Sequence, residues 1–159
     1  MKIHAPNAAA LVRLGKYVGS VLFDGSTVLV SGTLGAGKTT FAQGVARGLG
    51  VFGPVASPTY ALVHEYAEGR LAFFHADVYR MVTAEELVSA GIAERVGGGG
   101  AWLVEWADRF PDAWPSGRLE VEISGEGVGR AVAIRATDPA HASLLARVEE
   151  LLAADPLSA

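Results

Sequence analysis

The most constraining feature of this chain is one eight-residue segment, Gly32-Thr33-Leu34-Gly35-Ala36-Gly37-Lys38-Thr39. It matches G-x-x-x-x-G-K-[ST] at every fixed position. Glycines accept backbone angles that side chains resist, so successive N–H groups can turn toward a single anion. The flanks complete the signal. Thr27 to Ser31 (TVLVS) reads as a strand buried on both faces. Lys38 to about Leu49 reads as a helix, with Phe41, Val45 and Leu49 four apart and Gly50 as its stop. Strand, glycine loop and helix N-terminus together make a phosphate-binding device. Lys38 belongs against the β- and γ-phosphates of a nucleotide, and the Thr39 hydroxyl against magnesium. The nucleotide-binding stretch is therefore Thr33, Leu34, Gly35, Ala36, Gly37, Lys38, Thr39 and Thr40, with Thr40 turned to another face of the helix.

The rest of the chain supplies the frame for that loop. Asn7 to Leu22 has helical apolar spacing at Leu11, Leu14, Val18, Val21 and Leu22. Tyr60 to Tyr66 and Leu71 to Asp77 read as strands across a Glu68-Gly69 turn. Thr83-Ala84-Glu85-Glu86 fits a capping box for a short helix ending near Gly91. Ala101 to Glu105 (AWLVE) is another buried strand. Arg118 to Ser124 and Arg130 to Ala136 form a hairpin across Gly125-Glu126-Gly127. Asp138-Pro139 starts a last helix that runs to about Ala154. Strands interleaved with helices predict an α/β fold: a single domain over residues 1–159, with a mixed β-sheet flanked by helices.

Bulk properties narrow the classes. With 159 residues, half of them hydrophobic and 19% charged, the chain builds one core. Its 13 lysines and arginines are scattered and the net charge is −4. Direct gripping of nucleic acid is thus disfavoured, because such proteins carry a basic stripe. No cysteine is present, which rules out disulfides and thiolate chemistry. The histidines, His4, His64, His75 and His141, show no short ligand spacing, so no structural zinc is expected. No run approaches 18 uncharged apolar residues, and Arg13 and Lys16 interrupt the N-terminal apolar stretch. A cytoplasmic protein without a membrane span is the expectation.

A phosphate loop does not position water or complete a metal site; carboxylates at the ends of neighbouring strands do. Asp77 closes Leu71-Ala72-Phe73-Phe74-His75-Ala76-Asp77, and Glu105 closes Ala101-Trp102-Leu103-Val104-Glu105. Such ends lie where α/β sheets bind ligands. Asp77 suits the magnesium better and Glu105 the general base, although the residues alone leave the two roles interchangeable. Lys38, Asp77 and Glu105 are the candidate catalytic set; Thr39, Asp77 and Glu105 are the candidate metal set. His75 lies two residues before Asp77 and shares its face, where it either orients Asp77 or fills space. Ser57-Pro58-Thr59-Tyr60 is an ordered loop in which Thr59 is a candidate switch residue, within a switch-like segment at 56–60. Trp106 packs over the site, faces a partner or takes an ordinary core or rim position.

Taken in order, Leu34-Gly35-Ala36-Gly37-Lys38-Thr39-Thr40-Phe41, Ser57-Pro58-Thr59-Tyr60, His75-Ala76-Asp77-Val78-Tyr79-Arg80 and Leu103-Val104-Glu105-Trp106 carry a further pattern. The chain resembles the TsaE (YjeE) family, small bacterial ATPases needed to make threonylcarbamoyladenosine in tRNA. The resemblance spans about Gly32 to Trp106. It implies ATP and Mg2+ as the cofactors and hydrolysis dependent on Glu105. It also implies partnership with TsaB and TsaD, the pair that transfers the threonylcarbamoyl group, with tRNA met only through that pair. In the family, hydrolysis supports repeated turnover of the pair. One departure is Thr33, where the family commonly has an acidic residue beside the phosphate loop. No role is carried over beyond Arg109.

The competing expectation is a small P-loop kinase acting on a metabolite or nucleotide. Such kinases close a lid that brings arginines over the phosphates. Arg80, Arg95 and Arg109 are isolated, and no compact arginine-rich insertion is present.

Overall fold

Three parallel strands that end side by side place the candidate site. The computed structural model describes residues 1–58 and 62–158. In chain order the elements are β1 (Lys2–Ala5), α1 (Ala8–Val21), β2 (Thr27–Ser31), α2 (Lys38–Gly48), β3 (Val63–Tyr66), β4 (Phe73–Asp77), α3 (Ala84–Ser89), α4 (Ile92–Arg95), β5 (Ala101–Glu105), β6 (Leu119–Ser124), β7 (Arg130–Ala136) and α5 (Pro139–Ala154). A 3-10 turn at Ala107–Arg109 follows β5. The sheet order is β1-β7-β6-β2-β5-β4-β3. β6, β2, β5 and β4 run parallel, while β7, β1 and β3 pair antiparallel at the two sides. The result is the mixed sheet flanked by helices that the sequence predicts.

Period-2 alternation sorts the strand residues between two cores. Val28, Val30, Phe73, Leu103, Val121 and Ile134 face α1, α2 and α5. Leu29, Ala76, Trp102 and Val104 face α3, α4 and the turn after β5. His75, Asp77 and Glu105 have the parity of Phe73 and Leu103, so they share the face that α2 covers. α1 lies directly behind α2. A Cβ at Gly19 would sit 2.1 Å from the Val45 carbonyl oxygen, and one at Gly44 would sit 2.2 Å from that of Val12. The phosphate-loop helix is thus backed by another helix at backbone contact.

Local signals mostly hold. Asn7 caps α1 by accepting from the Ala10 N–H at 2.8 Å, and Asp138 caps α5 by accepting from the His141 N–H at 3.1 Å. The capping box at α3 does not form as written. The Thr83 side chain makes no cap, and Glu86 reaches one residue too far, accepting from the Val82 N–H at 3.2 Å. β1 carries no sequence signal, because four residues are too few for periodicity; pairing with β7 creates it.

Candidate nucleotide-binding site

The carboxyl ends of β2, β4 and β5 open onto a cleft of about 440 Å³. One wall is the glycine loop and the first turn of α2, through Leu34, Gly35, Gly37, Lys38, Thr39 and Thr40. Ser57, Asp77, Tyr79, Glu105 and Trp106 form the other wall. The cleft lies beside β2, the strand from which the chain leaves toward one side of the sheet and later returns on the other. Open α/β sheets bind ligands at such a switch point. Two residues of the Thr33–Thr40 stretch do not line it. The Ala36 side chain is buried, and Thr33 opens onto an adjoining cleft with Asp108 and Glu122. Thr59 lies outside the described residues.

The loop's backbone is what its glycines permit. Gly35 has φ +79° and Gly37 φ +109°, values at which a side chain is strained. Gly37 is also the N-cap of α2 and offers no side-chain acceptor, so first-turn N–H groups are left to an anion. The Lys38 ammonium donates to the Gly32 and Thr33 carbonyl oxygens, both at 2.8 Å. It also lies 3.9 Å from the centroid of the Trp106 ring. Burial pushes its pKa below the usual lysine value, against the opposing pull of Glu105, Asp77 and Asp108. A phosphate in the cleft would favour the charged form.

Strand register brings the two acids together. Asp77 and Glu105 are direct partners across the parallel β4–β5 pair, and both are almost wholly buried. Their hydrogen bonds differ. Asp77 accepts from the Ser57 hydroxyl and from the Tyr79 N–H, each at 2.8 Å. Glu105 accepts from the Thr39 hydroxyl at 3.1 and 3.2 Å and pairs with His75 Nε2. His75 thus orients Glu105, not Asp77, whose oxygens face away toward the Ser57 loop and the following turn. When Glu105 is ionised it only accepts, and the hydrogen of this pair then lies on Nε2. His75 Nδ1 is buried without a hydrogen-bond partner among the described residues, and the Phe73 ring stacks beside it.

Trp106 packs over the site. Its φ of +63° is the left-handed region, a conformation costing a non-glycine residue about 1–2 kcal/mol. That angle ends β5 at Glu105 and turns the indole back over Lys38. The Tyr79 ring leans on it with centroids 4.7 Å apart. No short-range pattern in the sequence announces this Lys38–Trp106–Tyr79 stack, nor the reach of Arg130 from β7 to the loop carbonyls of Gly35 and Ala36.

Among the described residues, no group of three or more His, Cys, Asp or Glu forms a metal cage. The cleft still fits magnesium. A hydroxyl on Thr39 beside the carboxylates of Asp77 and Glu105 is a hard oxygen set, and magnesium is commonly held by one or two carboxylates plus substrate phosphates. No helix among the described residues is long and apolar enough to cross a membrane.

A mixed sheet with a glycine loop between β2 and α2, and acids at the ends of β4 and β5, defines a P-loop nucleotide-binding fold. The chain belongs to the TsaE family: the family model "Threonylcarbamoyl adenosine biosynthesis protein TsaE" matches residues 5–132. It is 37% identical over 123 residues to the tRNA threonylcarbamoyladenosine biosynthesis protein TsaE of Treponema pallidum, covering 77% of this chain and 90% of that protein. It is also 37% identical to the Bacillus subtilis protein of the same name over 127 residues, covering 80% and 79%. The crystal structure of YdiB from Bacillus subtilis superposes with a TM-score of 0.82 at 30% identity, over 95% of each chain.

Proposed function

We propose that this chain is a magnesium-dependent ATPase of tRNA threonylcarbamoyladenosine biosynthesis, which binds the TsaB–TsaD pair and hydrolyses ATP to sustain its turnover. The observation that carries the ATPase reading is the convergence of Lys38, Thr39, Asp77 and Glu105 on one cleft. Family membership and the names of the relatives support the pathway. The acidic chain need not hold tRNA itself if the pair does, and a cytoplasmic location follows from that work.

Each residue has a task. Loop N–H groups from Thr33 to Thr40 cradle the phosphates, and Lys38 leaves the Gly32 and Thr33 carbonyls to bridge the β- and γ-phosphates. Thr39 and Asp77 would hold magnesium, with Glu105 beside it, and the ion would supply neutralising charge at the phosphates. Thr39 gives up its hydrogen bond to Glu105 in doing so. Glu105, still held by His75, then orients the attacking water and accepts its proton. Thr59 serves as the switch residue of its loop. A kinase is less well supported, since no arginine is among the described residues that line the cleft.

The test is phosphate release from ATP by the purified chain, alone and with TsaB–TsaD, with Glu105→Ala as the blank. Slow release that rises with the pair is expected. Release indifferent to the pair removes the partner role and leaves the ATPase. No release under either condition removes the ATPase.

A further inference from the structure

A long-range tie to the phosphate loop comes from β7, two strands away from β2 in the sheet. Arg130, the first residue of β7, donates from Nε to the Ala36 carbonyl at 2.8 Å and from Nη2 to the Gly35 carbonyl at 3.3 Å. Its Nη1 donates to the Gly127 and Gly129 carbonyls at 2.7 and 2.8 Å, in the turn between β6 and β7. One planar fork therefore joins two loop peptides to the hairpin that borders β2. The loop is pressed against the same hairpin at its start, where a Cβ on Gly32 would meet the Ile123 carbonyl oxygen at 2.5 Å.

We infer that Arg130 is a positioning residue for nucleotide binding, which sets the phosphate-facing N–H groups of the loop by holding their carbonyls from behind. The reason is peptide geometry. In a planar trans peptide, C=O and N–H point in opposite directions. Fixing the Gly35 and Ala36 oxygens on the guanidinium turns the N–H groups of Ala36 and Gly37 toward the concave side. The Ala36 N–H is itself held within the loop, donating to the Thr33 carbonyl at 3.1 Å. Glycine-rich loops have many backbone states to lose, so a brace that removes them before binding raises affinity. Lysine cannot replace the brace, because an ammonium is a point donor and these four carbonyls need a fork.

This inference rests on the nucleotide-binding reading, and its test separates the two. ADP binding is measured by calorimetry on the whole chain as wild type, Arg130→Ala and Arg130→Lys, with melting temperatures as the control for folding. KM and kcat for ATP are measured on the same proteins. A Kd for ADP raised by about tenfold in both variants is expected, the effect of losing one charge-assisted hydrogen bond. KM should rise with it and kcat should fall far less. Unchanged ADP affinity in Arg130→Ala overturns the inference and leaves nucleotide binding in place. Full restoration by Arg130→Lys also overturns it, since charge alone would then suffice. A kcat that falls as steeply as KM rises, with a lowered melting temperature, assigns Arg130 to general stability instead. Wild type that binds no ADP overturns the nucleotide-binding reading and the inference together.

Discussion

The ends of β4 and β5 hold the same chemistry in different settings. Asp77 and Glu105 close neighbouring parallel strands, in register and on one face. Asp77 takes its hydrogen bonds from nearby chain: the Tyr79 N–H two residues on and the Ser57 hydroxyl 20 residues before. Glu105 takes its own from Thr39, 66 positions earlier, and from buried His75, 30 positions earlier. A carboxylate fixed by a backbone N–H keeps one orientation, which suits a metal neighbour. A carboxylate shared between a histidine and the loop hydroxyl must change partners when Thr39 takes up another role, which suits a group that acts during turnover. A strand end selects the cleft; the partners select the task.

Substitutions at the two ends should separate them, and the largest effect belongs to β5. Glu105→Ala should lower ATP hydrolysis by about 10²–10⁴-fold, the usual worth of a positioned general base, while calorimetry still shows ADP bound. Equal loss of binding would erase the distinction between the acids. Asp77→Asn comes next. It should raise the magnesium concentration for half-maximal activity by about tenfold, in the range seen when metal-site partners are removed. An unshifted magnesium titration would count against Asp77 as a metal neighbour. His75→Leu should reduce kcat by roughly tenfold, because a buried carboxylate that loses a donor costs about 1–3 kcal/mol. It should leave the magnesium titration where it was, and a shift there would tie His75 to Asp77 after all. Ser57→Ala is expected to be smallest, raising the magnesium requirement about threefold, the effect of a weak net hydrogen bond. Loss of kcat at saturating magnesium would place Ser57 with the Glu105 end instead.

Much of this layout is legible along the chain. Thr27–Ser31, Ala101–Glu105 and Arg130–Ala136 begin and end as their apolar patterns indicate, because these strands are bounded by glycine and turn residues. Both acids are legible because each ends an apolar run. The loop glycines are legible because their conformations leave few other residues possible. Less local features are not. The sequence leaves His75 either orienting Asp77 or filling space, since period 2 reveals a shared face but not which neighbouring strand a ring reaches. No local signal marks the left-handed backbone of Trp106, which comes just after β5, where the Trp106 N–H donates to the Val30 carbonyl of β2 at 3.0 Å. The missing cap at Thr83 shows a local motif losing to the path of the turn before α3.

By itself the sequence determined the phosphate loop, the helix that follows it and the two acidic strand ends. Those features rest on contiguous residues, whose backbone freedom and apolar spacing act over a few positions. Tertiary contacts alone bring Glu105 to Thr39 and His75, and Arg130 to the Ala36 carbonyl 94 positions away. Those contacts depend on strand order and register. Both are fixed by burying two faces of one sheet at once, so no short window of residues contains them.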